Sequence, residues 1–147
     1  MIERMMTAGW GDMDFNGHMR NTAYLDRSAD MRMMFFAANG FTMDELKRLK
    51  LGPVVQKDEI EYQREVGLLG EIRGTMGIDG LAADGSRWRI RNEFYRADGK
   101  LAARVTSVGG WLDLAARRLV VPPPPLLAAL RQLPRTETFE ELGTSVR

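Results

Sequence analysis

Hydrophobic and polar positions divide the chain into a helical first third and a strand-rich remainder. Residues 3–10 read as a short strand ending on Trp10, a bulky anchor before a polar turn. From Asn21 or Thr22 to about Asn39, Tyr24, Ser28, Met31, Phe35 and Ala38 recur at spacings of three or four. Leu25, Met33, Met34 and Phe36 make nearly the whole circumference apolar outside Arg27, Asp30 and Arg32. This predicts a long buried helix, capped by Asn21, stopped at Asn39-Gly40, and wrapped by other elements.

Thr42-Met43-Asp44-Glu45 matches a capping box and starts a short helix that ends near Leu49, where Leu51-Gly52-Pro53 breaks it. The period then changes to two. Strands are expected over 54–66, with Ile60 and Tyr62 alternating against Glu59, Glu61, Gln63 and Glu65, and over 71–82, where three glycines suggest bends or close packing. Trp88, Ile90, Asn92 and Phe94 alternate with Arg87, Arg89, Arg91, Glu93 and Tyr95, and a last long strand covers 101–114. Ala83-Asp84-Gly85-Ser86 and Ala97-Asp98-Gly99-Lys100 are hairpin signals between them. Four prolines at 122–125 form a stiff entry to a short helix over 126–133, and 135–147 reads as a polar, frayed tail. The result is one α+β domain over 1–134, a curled five-stranded antiparallel sheet packed over one apolar helix. Its open sheet edges favour pairing of two subunits, so a homodimer or a dimer of dimers is expected.

A length of 147 residues suits a single domain that buries roughly 70% of its unfolded surface without staples. With 21 basic against 20 acidic side chains, no broad positive field is available for nucleic acid. The absence of cysteine removes disulfides, zinc-thiolate sites and thiol nucleophiles, and the single histidine rules out a two-histidine metal centre. No apolar run approaches the roughly 20 residues of a membrane helix, and the first residues lack the pattern of a secretory signal. A soluble, cytoplasmic protein with no membrane partner is expected.

Chemistry concentrates in 12–24. Asp12, Asp14, the Asn16-Gly17 pair, His18 and Asn21 crowd against the start of the long helix, more than a tight turn requires. On residue type alone, Asp14 reads first as a turn or cap carboxylate bonding nearby amides. No Gly-X-Ser-X-Gly elbow accompanies His18, and Ser28, Ser86 and Ser107 lie in other contexts.

The order Asp12, Asp14, Gly17, His18, Asn21, Tyr24, followed by a long helix and a meander of strands, resembles the hotdog-fold acyl-CoA thioesterases. The similarity is to the branch of 4-hydroxybenzoyl-CoA thioesterase, and it covers nearly the whole chain. It implies a hotdog domain acting on an acyl-CoA or acyl-carrier thioester, with no cofactor and with sites at a homodimer interface. It implies Asp14 as the catalytic carboxylate, nucleophile or general base, and the backbone amide of Asn21, or of Thr22 or Ala23, as the donor polarising the carbonyl.

His18 then orients a group at the site, and Asn16 contacts the thioester or simply makes the turn that Gly17 permits. The acyl pocket is expected along Tyr24, Ser28, Met31, Met34 and Phe35. Arg87, Arg89 and Arg91, on one side of a strand, either hold coenzyme A phosphates or form a charged outer face. Asp58, Glu59, Glu61 and Glu65 read as solvated strand residues. Two other functions compete: a hotdog dehydratase or hydratase using His18 with a carboxylate, and a non-catalytic acyl-thioester-binding protein.

Overall fold

The computed structural model describes residues 2–147, and its elements follow the change of period. Strand β1 (Ile2–Thr7) leads through a 3-10 turn (Trp10–Asp12) and the polar loop to α1 (Ala23–Ala38) and α2 (Met43–Leu49). Then come β2 (Leu51–Tyr62), β3 (Glu71–Ala82), β4 (Arg87–Arg96), β5 (Leu101–Asp113), β6 (Arg118–Leu119), α3 (Pro124–Gln132) and β7 (Arg135–Leu142). The main sheet runs β1-β3-β4-β5-β2, antiparallel throughout, with β6 added to β5 and β7 to β3. This is the hotdog arrangement, a curled sheet closed over α1.

Packing explains which residues go inside. Trp88, Ile90, Asn92 and Phe94 are all fully buried on one face of β4, as their alternation requires. Against that face α1 sets Tyr24, Met31 and Phe36, with Tyr24 edge-on to Phe94 at 5.7 Å and Phe36 at 5.2 Å from Trp111. Phe36 takes the sealed position, and Phe35 is only half-buried against it. Met34 stays exposed, so the sheet wraps one side of α1 and leaves the other open. Arg32 enters the same core face and donates to Ser107 Oγ (3.1 Å), which itself donates to Asp58 (2.5 Å). Burial pulls the Arg32 guanidinium below its ordinary value, and Asp58 acts against that pull.

Several boundaries differ from the sequence expectation for identifiable reasons. Trp10 is no anchor: its indole is 82% exposed, because the tight Gly9–Asp12 turn projects it outward. The helix-breaking Gly52-Pro53 pair lies inside β2, where proline is tolerated because β2 closes one edge of the sheet. Pro124 and Pro125 belong to α3, supplying its first turn, where a missing amide costs nothing. Asn21 does not cap α1; Thr22 holds that place, with no capping bond from its side chain. Thr42 does cap α2, its hydroxyl accepting the Glu45 amide at 3.2 Å.

The largest departure is at the end of the chain. Arg135–Leu142 is not frayed but forms β7, parallel to the second half of β3 and in line with β1. Asp79 sits at a bulge in β3, the kind of irregularity that re-aims a side chain. It accepts from Thr136, from Thr138 (2.5 Å), from Arg89 Nε (2.6 Å) and from Arg91 (3.3 Å). A polar segment is thereby ordered by a buried carboxylate, with Phe139 adding an apolar contact to the core. Among the described residues, no helix is long and apolar enough to cross a membrane.

Candidate active site

The loop before α1 is built as a small clasp. Met13 and Met19 bridge its base, and the Asp14 amide donates to the His18 carbonyl at 2.8 Å. Its tip turns through Gly17 at φ +79°, a left-handed value that favours glycine. No atom stands within 4 Å of where a Cβ would project. Gly17→Ala is therefore expected to cost about 1–2 kcal/mol from backbone strain alone, measurable as a shift of the denaturant midpoint with unchanged slope.

Asp12 and Asp14 do different work. The Asp12 carboxylate accepts from the Gly9 amide (2.8 Å) and from Arg27 on α1 (2.6 Å). Burial works to raise its pKa, but these bonds and the Arg27 and Arg20 charges outweigh it and hold the group below the usual carboxylate range. Asp12 thus pins the loop to the helix. Asp14 is half-buried, and its Oδ1 accepts the amides of Asn16 (2.9 Å) and His18 (3.1 Å). Among the described residues its other oxygen, Oδ2, has no hydrogen-bond donor, which leaves it free for a reactant.

Asp14, His18, Asn21 and Tyr24 line one open cavity of about 320 Å³, together with Tyr62 and Glu65. Tyr62 was legible only as an apolar member of β2. In the structure its hydroxyl donates to the Asn21 carbonyl at 2.9 Å, and its ring meets Tyr24 edge-on at 5.9 Å. Burial, reinforced by Tyr62, pushes the Tyr24 phenol up to about 12, so it stays protonated. At the start of α1 the Ala23 amide already donates to the Arg20 carbonyl at 3.0 Å, which removes it as an oxyanion donor. The amides of Asn21 and Thr22 have no acceptor among the described residues, and they lie at the positive end of the helix dipole.

The remaining expected residues are dispersed. The Asn16 side chain is exposed at the loop tip, and Thr22 Oγ1 accepts from Arg20 Nε at 3.0 Å. Ser28 and Met31 are sealed under α1, one and two turns behind Tyr24, and Phe35 lies at its far end. Arg87, Arg89 and Arg91 are not brought to Asp14. Arg87 donates to Ser145 (3.3 Å), Arg89 to Asp79 and Glu140, and Arg91 to Glu137 (2.7 Å) and Thr138 (2.6 Å). Arg89 and Arg91 are thus engaged by Asp79 and by side chains of β7, and Arg87 by Ser145 beyond it.

Asp79 is a second buried carboxylate worth weighing as chemistry. Burial raises its pKa, but Thr136, Thr138 and Arg89 more than compensate and hold it low. Donors reach both of its oxygens, so it serves as a structural hub. His18 and Glu65 face each other, Nε2 to Oε2 at 3.2 Å. Glu65 escaped the sequence reading because alternation counted it as a wet strand residue, whereas β2 ends at Tyr62 and Glu65 lies on the following loop.

A model of the thioesterase-like superfamily matches residues 8–130. The chain belongs to that superfamily. No curated protein matches it. Among solved structures, this superfamily member is similar to a Staphylococcus aureus protein in complex with CoA, at 19% identity, 90% and 85% coverage of the two chains and a TM-score of 0.80. It is also similar to a 1,4-dihydroxy-2-naphthoyl-CoA thioesterase from Synechocystis (14%, 89% and 96%, 0.79). A gentisyl-coenzyme A thioesterase gives 16%, 88% and 99%, and 0.77. At these identities the likeness concerns the hotdog fold, which this thioesterase-like protein shares in full.

Proposed function

We propose that the protein hydrolyses an acyl-CoA or acyl-carrier thioester, with Asp14 as the working carboxylate and the amides of Asn21 and Thr22 as oxyanion donors. One observation carries this: Asp14 keeps Oδ2 free in a cavity that Asn21 and Tyr24, at the start of α1, also line. Hydrolysis needs an attacking oxygen and a place for the negative charge that develops on the carbonyl oxygen. The loop supplies the first and the helix the second. Asp14 either attacks the carbonyl carbon, expelling the thiolate and leaving an anhydride that water cleaves, or takes a proton from the attacking water. In both routes the C–S bond breaks, the thiolate gains a proton and the carboxylate product leaves.

We place the protein nearest the 4-hydroxybenzoyl-CoA thioesterase branch, on the Asp12 to Tyr24 motif. The naphthoyl and gentisyl thioesterases among its structural neighbours support testing aromatic acyl groups first. We further propose a cytoplasmic homodimer, or a dimer of such dimers, in which the free edge of β2 and the open side of α1 meet a second subunit. Among the described residues, β2 pairs with β5 alone, and Met34 and Val55 remain exposed.

The test is thiol release from a panel of aromatic and aliphatic acyl-CoA thioesters, run beside loss of the enoyl absorbance of crotonyl-CoA. Thiol release without enoyl consumption is the expected result. Enoyl consumption alone would assign a hydratase, and tight binding without either would assign a carrier protein.

A further inference from the structure

Two contacts align helix α1 with strand β2. At the Asp14 cavity, Tyr24 meets Tyr62 edge-on at 5.9 Å. At the other end, Arg32 of α1 reaches Ser107 and, through it, Asp58 of β2. Tyr24 to Arg32 is about 12 Å of helix, and Tyr62 to Asp58 is about 13 Å of strand. Between Tyr62 and Asp58, period two turns Ile60 to the same face of β2, half-buried against the core. The seam between the two elements therefore runs from an aromatic pair, past an aliphatic side chain, to a guanidinium.

Arg32 is only 8% exposed, yet it has less compensation than such burial calls for. Its Nη1 donates to Ser107 at 3.1 Å, and the Trp88 ring lies 5.7 Å from its Cζ. Asp58 is exposed and touches the guanidinium only through the Ser107 hydroxyl, so among the described residues no carboxylate pairs with Arg32 directly. Nε and Nη2 have no acceptor there either, and unlike Arg91 Nε they are not sealed from solvent. Their N–H bonds lie side by side on one edge of the guanidinium plane, the edge that a carboxylate fills with both oxygens. A hydroxyl fills half of it, and a methyl end leaves it unpaired against hydrocarbon.

We propose that Arg32 is a specificity-determining residue that selects acyl groups ending in a carboxylate, the thioesters of dicarboxylic acids. The thioester carbonyl lies over Asp14, the chain follows the seam past Ile60, and the terminal carboxylate takes the open edge of Arg32. This rests on the thioesterase reading of Asp14 and adds the class of acyl group to it. A succinyl group falls short of Arg32, whereas a suberyl group spans the seam.

Suberyl-CoA and octanoyl-CoA share their chain length and the whole of coenzyme A, and differ only at the chain end. Wild type is expected to favour suberyl-CoA by about tenfold or more in kcat/KM. Arg32→Met should bring the two within about twofold of each other. The ratio is read within one preparation, so any inactive fraction cancels, and methionine keeps an unbranched apolar stem where the charge was buried. No preference in wild type, or the same preference in Arg32→Met, overturns the proposal. Succinyl-CoA should show no comparable gain over butyryl-CoA; an equal gain makes charge alone the cause and overturns it as well. If wild type hydrolyses none of these thioesters, the Asp14 reading falls, and calorimetry of intact suberyl-CoA and octanoyl-CoA reads the same ratio in Kd. A tenfold preference that Arg32→Met lacks then keeps the Arg32 site, and equal affinities remove it.

Discussion

Asp14→Asn is expected to leave a folded protein whose thioester hydrolysis is about 10²- to 10⁴-fold slower. The fold should survive because the bonds that organise the loop do not need the charge. The Asn16 and His18 amides donate to Oδ1, and a carboxamide oxygen accepts both in the same place. What disappears is the anionic oxygen directed at the reactant: Oδ2 is replaced by an NH2, which neither attacks nor takes a proton. The loss should fall on kcat with little change in KM, the pattern of an interaction made in the transition state. Thiol release by wild type and variant under saturating acyl-CoA measures the ratio, and equal circular dichroism and denaturant midpoints show that folding is intact. A wild-type rate in Asp14→Asn would remove Asp14 from the chemistry.

The second large effect concerns Asp79. Asp79→Ala is expected to cost about 2–3 kcal/mol, because Arg89 Nε loses its 2.6 Å acceptor and Arg91, only 7% exposed, keeps Glu137 but loses one of its two carboxylate partners. Arg91 Nε already lacks a partner in the intact protein, so little reserve remains to absorb the loss. Thr136 and Thr138 would lose their acceptor at the same time, and β7 should detach locally. Urea unfolding gives the energy, and limited proteolysis should cut within 135–142 in the variant and not in wild type.

The same group predicts an acid dependence. The folded pKa of Asp79 lies below its ordinary value. Its contribution is therefore complete above the unfolded pKa and is lost as pH falls through the lowered folded one. Wild type should lose stability across that acidic window, and Asp79→Ala should lose less over the same range.

These two carboxylates also mark how far the sequence could be read. Asp14 stood out as a candidate because a motif, a single histidine and a helix start coincide within thirteen positions. Strand β4 was legible because Trp88, Ile90, Asn92 and Phe94 alternate without interruption, and period two leaves one arrangement for a half-buried surface. Asp79 was not legible as a hub. Its partners Thr136 and Thr138 lie 57 and 59 residues away, in a segment whose polarity suggested a free tail. Alternation reports which face a residue takes, but not what later covers that face. For the same reason Arg89 and Arg91 looked like a phosphate clamp or a wet surface, and Glu65 looked like a solvated strand residue. The Tyr62 contact with Asn21 spans 41 positions and follows from the curl of the sheet over α1, which no local pattern encodes.

The outward indole of Trp10 has an optical consequence. The chain has three tryptophans, and Trp88 and Trp111 are wholly sealed in the core. Trp10 alone of the three meets water, two positions before the Asp12 carboxylate that ties the polar loop to α1. Acrylamide therefore quenches Trp10 while the two core indoles emit a steady, blue-shifted background. Anything that comes to cover the loop, a second subunit or a bound thioester, reports itself in the emission of that one residue, without a dye.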